Sequence, residues 1–473
     1  MKKLLSIIFL ISNVCGANNL PDLGDFSSTV ISMQDENLIS RQILYQVNQS
    51  GSIVRDVEIE DYLKNLGVKL INSSSVPGRN IKFFVVNDSS INAFAMLGDV
   101  IGVHSGLFLA TNSESEFASV LSHEIAHITQ RHIARFIVKQ ERVSIQNTLI
   151  MAAALLLSRS NPQLASGVMV GANAYSAQSS LNFTRENEKE ADRIGIQVLD
   201  NAGFDVRASA DFFKTLQKGN QFSTGASPAF LQTHPITSSR ISDINDRLKD
   251  FPYIQRVDNP NFYFIKGKLR AFLGDKNTSK NILENNIRNK TYLNEAGERY
   301  GLAYAYLRNN ELSNALLEIN WLLKHFLNNP MIIQLHAEFL LKSGYKDKAR
   351  GLFIKALQRY PTYQSFVFGL ADYYIQASEA QKSINLLNAY TLRFYKNPYL
   401  YELLAKAYSM QGKKLLQYEN LAESFYFKYD LQEAILQMNF AVSASDGNFY
   451  EKSRVEARLR QFQREREFYS GNQ

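Results

Sequence analysis

Alanine recurs every 34 residues in the C-terminal half of this 473-residue chain. The recurring positions are Ala303, Ala337, Ala371 and Ala405. A large side chain stands three residues after each of them, at Tyr306, Leu340, Tyr374 and Tyr408. Small residues let two helices approach closely, and large ones fill the space between them. This period predicts consecutive helix pairs that stack on one another, because one pair alone cannot bury its apolar face.

Further positions follow the same period. Twelve residues after the first three alanines, the chain has Ala315, Ala349 and the less suitable Ser383. Pro361 and Pro398 stand where repeats end. Together these positions form the pattern of tetratricopeptide repeats. The alternative is a set of helical hairpins that form no superhelix.

The repeat region extends beyond the clearest period at both ends. We interpret residues 260–290 as a degenerate first repeat. Another repeat, shifted by half a period from Ala405, fits Ala422, Phe425, Ala434 and Ala441. A final capping helix is predicted from the apolar residues Val455, Leu459 and Phe462. The predicted repeat domain therefore covers residues 260–468.

Upstream of the repeats, a His-Glu-x-x-His motif occupies residues 123–127 and lies in a stretch typical of a helix. Ser113 followed by Glu116 is a capping-box pattern for the start of that helix. No Gly or Pro occurs from Ser113 to Arg142, so an uninterrupted helix is predicted. The motif alone also occurs by chance, and this helical context is what favours a metal site.

Side chains four residues apart share one face of a helix, so His123 and His127 present two imidazoles to one point. That spacing suits a tetrahedral zinc ion. Glu124 lies beside the first imidazole, where a carboxylate can act as general base toward a zinc-bound water. His132 would point about 140° away from His127 on the same helix. We therefore expect His132 to have a structural or surface role and not to bind metal.

The third metal ligand is expected to be a carboxylate, because the only cysteine is Cys15, near the N-terminus. Glu188 and Asp192 are four residues apart and share one helical face. Ala191 and Gly195 leave room for a second helix to approach. We assign Glu188 as the third ligand. Asp192 either orients a histidine ligand through a hydrogen bond or helps proton transfer; in isolation this spacing is more typical of a solvated face.

A second polar cluster follows in His234-Pro235 and Arg240. Peptide hydrolysis generates an oxyanion, and a cationic or donor side chain beside it lowers the barrier. His234 and Arg240 are candidates for that role. His234 could instead bind zinc in a resting state and close the position that catalysis needs. Without a metal site nearby, the His-Pro pair would be only a loop feature.

Two strands are predicted before the metal-binding helix. Residues 81–86 are rich in aromatic and β-branched side chains, and residues 100–103 follow a turn at Gly98-Asp99. The segment Asn92, Ala93, Phe94 and Ala95 lies between them. A strand here could line a cleft and pair with an extended peptide. The alternative is an ordinary hairpin that binds no ligand.

The first 17 residues resemble a secretory signal peptide, with Lys2 and Lys3 before the apolar run 4–11 and a cleavage site after Ala17. A lipoprotein signal that uses Cys15 is the alternative. The formal net charge of +7 is spread among interleaved acidic and basic residues, so nucleic acid is not an expected partner.

Residues 145–175 are apolar and small, but their longest apolar run, 149–157, is too short to span a membrane. We expect a buried or interfacial helix there. Residues 166–171 are a candidate lid over the cleft. A peripheral contact with the membrane is the other interpretation of this region.

Taken in order, the motifs of residues 123–127, 188–192 and 234–240 resemble those of the gluzincin metallopeptidases related to the CaaX prenyl endopeptidases. The resemblance implies one Zn²⁺ bound by His123, His127 and Glu188, with Glu124 as the base. It also implies catalytic or supporting roles for Asp192, His234 and Arg240, the last two near the scissile carbonyl, and a substrate-binding cleft edge at Asn92, Ala93, Phe94 and Ala95. The chain departs from the family pattern at residues 96–99, where Met-Leu-Gly-Asp replaces Pro-Gly-Gly. Unlike the prenyl endopeptidases, the sequence indicates no transmembrane helices.

A signal peptide, a soluble protease domain and C-terminal repeats together resemble the periplasmic members of this family. That resemblance implies a zinc endopeptidase of the Gram-negative periplasm that degrades stalled or misfolded outer-membrane β-barrel proteins and assists their assembly. It also implies that the repeats bind these clients or the β-barrel assembly machinery. The alternative function is a chaperone or scaffold with a mostly latent protease site, and a further one is a peptidase that acts on lipoproteins or at the inner membrane.

The expected fold is mainly α, with an α+β metallopeptidase domain that contains a small sheet, followed by an α-helical tetratricopeptide-repeat superhelix. We expect a signal peptide at 1–17, a metallopeptidase domain at 18–255 and the repeat domain at 260–468.

Overall fold

The computed structural model of the chain describes residues 33–139, 185–222, 229–253 and 256–471. The predictions for the signal peptide, for Cys15 and for residues 145–175 lie outside the described residues. Among the described residues, no helix combines the length and the apolar character needed to cross a bilayer.

The N-terminal part of the described chain consists of helices around a three-stranded sheet. Its helices are α1 (Met33–Gln49), α2 (Val57–Asn72), α3 (Ser105–Ala110), α4 (Glu114–Thr129), α5 (His132–Lys139), α6 (Arg185–Asn201), α7 (Ala208–Phe222), α8 (Ala229–Thr233) and α9 (Ser238–Arg247), followed by a 3-10 turn at Leu248–Asp250. Its strands are β1 (Lys82–Val86), β2 (Ala93–Met96) and β3 (Val100–His104).

The sheet has the strand order β1-β3-β2. Strands β1 and β3 are parallel, whereas β2 and β3 form an antiparallel hairpin. Gly98 and Asp99 connect that hairpin with φ angles of 83° and 61°, so a left-handed backbone makes the tight turn. The predicted strands at residues 81–86 and 100–103 are confirmed, and so is the turn at Gly98-Asp99, which joins β2 to β3. Since β2 is at the edge of the sheet, one side of its backbone faces away from the other two strands.

Helix α4 starts as the sequence predicts but ends early. The Ser113 hydroxyl accepts a hydrogen bond from the amide of Glu116. The Glu116 carboxylate accepts one from the amide of Asn112, one residue before the position that a capping box would use. The prediction of an uninterrupted helix to Arg142 is wrong, because α4 ends at Thr129 and Arg131 has a φ angle of +52°. A left-handed residue turns the chain before α5, although neither Gly nor Pro marks the place.

The C-terminal part is a series of helix pairs. They are α10 (Pro260–Phe272) with α11 (Lys276–Asn289), α12 (Glu295–Arg308) with α13 (Leu312–His325), α14 (Pro330–Lys342) with α15 (Lys346–Arg359), α16 (Gln364–Gln376) with α17 (Ala380–Phe394), α18 (Pro398–Met410) with α19 (Lys414–Phe427), and α20 (Leu431–Ser443) with α21 (Phe449–Gly471). Helices α14, α16 and α18 start at intervals of 34 residues, as the alanine period predicts. The predicted fold class is confirmed: a mainly α chain with an α+β domain and tetratricopeptide-like repeats.

The small residues of the period are buried where helices pack. Ala303, Ala337 and Ala371 are fully buried, and so is Ser383 in the position where alanine would be more suitable. Residues 260–290 form the helix pair α10 and α11, as a first repeat requires. Val455 and Phe462 are buried on α21, which covers the end of the repeats as the capping helix predicted.

The repeats are joined to the N-terminal helices by buried polar contacts. The Lys268 ammonium group lies 2.6 Å from the Glu58 carboxylate and 2.8 Å from that of Asp56. The Tyr363 hydroxyl donates to Glu58 across 2.6 Å. Glu58 is on α2, and Tyr363 directly precedes α16, so α2 is held between the first and the middle repeats.

The far end of the repeats also touches the N-terminal part. The Arg41 guanidinium on α1 lies 3.2 Å from Glu465 on α21 and 4.8 Å from the centre of the Tyr426 ring. The repeats therefore contact the N-terminal part through both their first and their last helices.

The contacts between α2 and the repeats should contribute less to stability as the pH rises. Burial raises the pKa of Glu338 on α14, and that of Glu60 on α2, to about 7 in each case. Between the ordinary carboxyl pKa of about 4.5 and pH 7, the folded chain binds more protons than the unfolded chain at these groups, so their contribution to the free energy of unfolding falls as the pH rises. We expect Glu338→Gln to raise the melting temperature relative to the parent at pH 8, and to leave it nearly unchanged at pH 4.5.

Thermal unfolding at the two pH values measures this difference. The control is Asp347→Asn, whose carboxylate is 85% exposed and should make no pH-dependent difference. Equal shifts for Glu338→Gln at both pH values would contradict the prediction.

Candidate metal centre

Four side chains with metal-binding atoms converge at the middle of α4. His123 and His127 come from α4, Glu188 comes from α6, and His234 follows α8 directly. All four are buried, and one ligand atom from each lies within 4.8 Å of the other three. Among the described residues, these form the group that could hold a metal ion.

The distances between these atoms fit a tetrahedral zinc site. The Nε2 atoms of His123 and His127 are 3.0 Å apart, and each lies 3.4–3.5 Å from a Glu188 oxygen. His234 Nδ1 lies 2.9 Å from Glu188 and 3.4 Å from His123 Nε2. Four ligands bound about 2.0–2.1 Å from a tetrahedral zinc would lie roughly 3.4 Å from one another. The residues present therefore fit a zinc ion, with three nitrogen donors and a carboxylate.

Close contact between α4 and α6 brings Glu188 to the histidines. A Cβ atom placed on Gly195 would lie 3.2 Å from the His123 backbone, tighter than ordinary van der Waals contact. Ala191 is fully buried on the same face of α6. The small residues thus allow the approach that the sequence suggests. Glu188 and Asp192, one turn apart, both face α4.

Asp192 and Arg240 lie behind the histidine and carboxylate donors. Asp192 Oδ1 is 3.0 Å from His123 Nδ1, the ring nitrogen that faces away from the donor cluster. The Arg240 guanidinium donates two hydrogen bonds of 2.7 Å to Asp192 and lies 2.8 Å from Glu188. Arg240 is only 2% exposed. This geometry suits Arg240 to hold the two carboxylates in place.

The pKa values of the two histidines on α4 are shifted in opposite directions. Burial alone would lower the pKa of His123, but hydrogen bonds to Asp192 and Glu188 outweigh it and raise the pKa to about 10. Burial dominates at His127 and lowers its pKa well below the usual value. Burial would raise the pKa of Glu188, but the surrounding histidines lower it strongly, so this carboxyl is an anion. An anionic carboxylate and a neutral His127 are forms that bind metal.

Glu124 is fully buried, and neither of its carboxylate oxygens has a hydrogen-bond partner among the described residues. His234 Nε2 lies 3.5 Å from Glu124 Oε1, which is longer than a hydrogen bond. A buried carboxylate without hydrogen-bond partners is costly, so its retention points to a group that it meets only during function. A water molecule on the metal would be such a group.

His132 lies outside the donor cluster, as a structural role predicts, but it contacts that cluster directly. Its Nδ1 is 2.8 Å from Nδ1 of His127, and its Nε2 is 3.0 Å from a Glu190 oxygen. Sequence reasoning missed this contact because it placed His132 on the far side of an uninterrupted helix. No sequence signal marks the turn at Arg131 that brings the ring back.

The predicted cleft edge lies beside the donor cluster. Strand β2 contains Ala93, Phe94 and Ala95, and Asn92 precedes it. β2 packs against α4. The amide of Phe230 on α8 donates to the carbonyl of Ile91 across 3.1 Å. The Phe230 ring in turn stacks on His234, with ring centroids 4.7 Å apart. The segment that contains residues 92–95 is therefore connected to the donors through α4 and α8.

By sequence, the chain is similar to known proteases. Residues 58–248 match the model of peptidase family M48. The Beta-barrel assembly-enhancing proteases of Yersinia pestis and of Escherichia coli K12 are each 29% identical to the chain over 94% of its length, and they are covered over 92% and 91% of theirs. A tetratricopeptide repeat protein from Parabacteroides merdae aligns with a TM-score of 0.28 at 16% identity, covering 46% of this chain and 91% of that one. The assignment of the repeats here rests on the helix pairs themselves.

Proposed function

We propose that the chain, whose residues 58–248 match the model of peptidase family M48, is a zinc-dependent endopeptidase of the Gram-negative periplasm that degrades misfolded or stalled outer-membrane β-barrel proteins and assists their assembly. The observation that carries the proposal is the buried cluster of His123, His127 and Glu188 with an unpartnered Glu124 beside it. The names of the two relatives support the class of client. The predicted signal peptide at residues 1–17 supports the compartment.

We assign one role to each side chain of the centre. His123, His127 and Glu188 hold Zn²⁺, which when bound supplies the Lewis acidity that polarises a peptide carbonyl and acidifies water. Glu124 takes a proton from the attacking water and passes it to the leaving amine. Asp192 accepts a hydrogen bond from His123 Nδ1 and so keeps Nε2 directed at the metal. The unpartnered oxygens of Glu124 are what this proton transfer requires.

Arg240 is proposed to act through the carboxylates. Its contacts with Asp192 and Glu188 favour a positioning role over direct contact with the scissile carbonyl. The family resemblance suggests that His234 and Arg240 stabilise the oxyanion formed during hydrolysis. Of these two residues, His234 is the better placed for that role.

His234 is proposed to have two positions. With Nδ1 near the other three donors, as in this structure, it would be a fourth donor to Zn²⁺ and would hinder substrate access. Turned away from the metal, the same side chain could donate a hydrogen bond to the developing oxyanion. A resting arrangement of this kind also favours the alternative function, a chaperone or scaffold with a mostly latent protease site.

The substrate-binding surfaces are proposed at two places. An extended client segment pairs as an added strand with residues 92–95 at the edge of the sheet. Main-chain hydrogen bonds do not depend on side chains, so segments of many sequences can bind in this way. The repeats bind clients or the β-barrel assembly machinery on their surface. Binding by backbone pairing suits a protease whose clients share β-strands rather than one sequence.

Metal analysis of the purified chain tests the centre. We expect one zinc ion per chain, and we expect Glu188→Gln to lose most of it, because the neutral amide replaces the anionic donor that faces both histidines. His123→Ala should also lose zinc, because alanine provides no donor atom in place of the imidazole. The measurement is the zinc content after dialysis against a weak chelator.

The matched control for this test is Glu186→Gln, which removes an exposed carboxylate from the same turn of α6. It should retain a full equivalent of zinc. If Glu188→Gln also retains a full equivalent, Glu188 is not a ligand and the proposed site is wrong.

A further inference from the structure

His132 stands close to the metal centre because the chain turns sharply behind α4. Arg131 adopts a left-handed conformation with φ of +52°, and the next residue starts α5. The Arg131 guanidinium lies 2.7 Å from Glu36 on α1, which holds this turn in place. A left-handed residue with a large side chain is uncommon, and it persists only when surrounding contacts determine it. Here the conformation places the ring of His132 against the ring of His127.

The hydrogen bonds that connect His127, His132 and Glu190 determine which ring nitrogens carry the protons. His127 directs Nε2 at the other donors, so Nε2 must keep its lone pair for a metal. The proton of the neutral ring is then on Nδ1, which lies 2.8 Å from His132 Nδ1. His127 therefore donates and His132 accepts. The remaining proton of His132 is on Nε2, which donates to Glu190 Oε2 across 3.0 Å.

Glu190, the last residue of this hydrogen-bonded series, is held in place by Arg135. The Glu190 oxygen that accepts from His132 also lies 3.2 Å from the Arg135 guanidinium on α5. His132 itself is fully buried, so water does not compete for its nitrogens. The two metal-binding histidines thus have different partners: Asp192 for His123, and a second imidazole backed by a carboxylate for His127.

We propose that His132 is a positioning residue for the metal site, which fixes His127 in the tautomer and orientation that bind the ion and is itself fixed by Glu190. The inference rests on the proposed function, since it requires His127 to be a ligand. A partner that accepts a hydrogen bond from a metal-binding imidazole sets the direction of the ring and raises its basicity as a ligand. Loss of such a partner weakens metal binding even though every ligand remains.

The experiment measures zinc affinity by competition with a chelator at pH 7.5, using the full chain. We expect His132→Ala to bind zinc about 10–100-fold more weakly than the parent. His132→Asn should recover part of the loss, because its side-chain oxygen can stand where Nδ1 stands and accept from His127. Glu190→Gln, at a partly exposed position, should weaken binding less but in the same direction.

Ile133→Ala is the matched control. Ile133 is the next residue on α5 and is buried in an apolar cluster with residues of α1 and the sheet. Its truncation therefore loosens the same segment but leaves the hydrogen bond between His127 and His132 in place. It should lower the melting temperature of the metal-free protein and leave the zinc affinity unchanged. The absorption spectrum of the Co²⁺-substituted protein gives a second measurement, which should change for His132→Ala and not for Ile133→Ala.

The outcomes separate this inference from the function on which it rests. If the parent binds no zinc, the proposed function fails. If the parent binds zinc and both His132→Ala and Glu190→Gln bind it equally well, the positioning role is overturned. If Ile133→Ala weakens binding as much as His132→Ala, His132 only maintains local structure and the inference is again overturned. Should His132→Ala fail to fold, Glu190→Gln and His132→Asn still decide the question.

Discussion

Glu124→Gln is expected to lower the rate of peptide cleavage by about 10²–10⁴-fold, the usual contribution of a general base. Glutamine has nearly the same shape, but it cannot accept the proton of the attacking water. The zinc content should not change, since Glu124 lies outside the donor cluster. Stability should stay the same or rise, because both buried oxygens of the carboxylate lack partners among the described residues. The measurement is turnover of an unfolded outer-membrane β-barrel protein by the zinc-loaded chain.

This variant also separates the two candidate functions. If turnover continues unchanged, the protease assignment of this site is wrong. If turnover stops while barrel assembly in cells survives, scaffolding is a separate activity of the chain. Glu186→Gln, which changes an exposed carboxylate of α6, is the control and should cleave at the parental rate.

Arg240→Met is expected to lower the free energy of unfolding of the metal-free protein by about 3–5 kcal/mol. Methionine occupies a similar volume but removes the guanidinium that contacts both Asp192 and Glu188. Both carboxylates are nearly inaccessible, with side chains 5% and 2% exposed, so water cannot replace the lost hydrogen bonds. Urea unfolding of the metal-free chain measures the change.

A second substitution tests the cause. Adding Asp192→Asn to Arg240→Met should recover part of the loss, because one of the two buried carboxylate charges that lost the guanidinium disappears. Arg247→Met on the same helix is the control. Its ion pair with Asp243 is more than 30% exposed on both sides, so its loss should cost at most about 1 kcal/mol. A loss below about 1 kcal/mol for Arg240→Met would contradict the expected role of the buried pair.

The predictions that the structure confirms rest on local patterns in the sequence. The spacing of His123 and His127, the capping serine at Ser113 and the turn at Gly98-Asp99 each depend on neighbours within a few residues. The repeats are similar, because each helix pair has its own pattern of small and large residues. Such features have a period that is visible in the sequence whatever the rest of the chain does.

The error over α4 shows where this reasoning stops. Propensity favours a continuous helix through Arg131, since no Gly or Pro interrupts it. The structure breaks the helix there and pairs Arg131 with Glu36, which lies almost a hundred residues earlier. A weak local preference is overridden by a contact between distant segments, and the position of His132 changes with it.

The sequence by itself determined the elements of this protein: the helix with its two histidines, the carboxylate helix, the hairpin and the helix pairs of the repeats. Only the tertiary structure decided how they meet, with His132 behind His127, Arg240 against two carboxylates, and α2 held by the repeats. The physical reason is range. Helical and strand periods arise from neighbouring residues, whereas the partner of a buried charge or imidazole is chosen by packing between segments far apart in the chain.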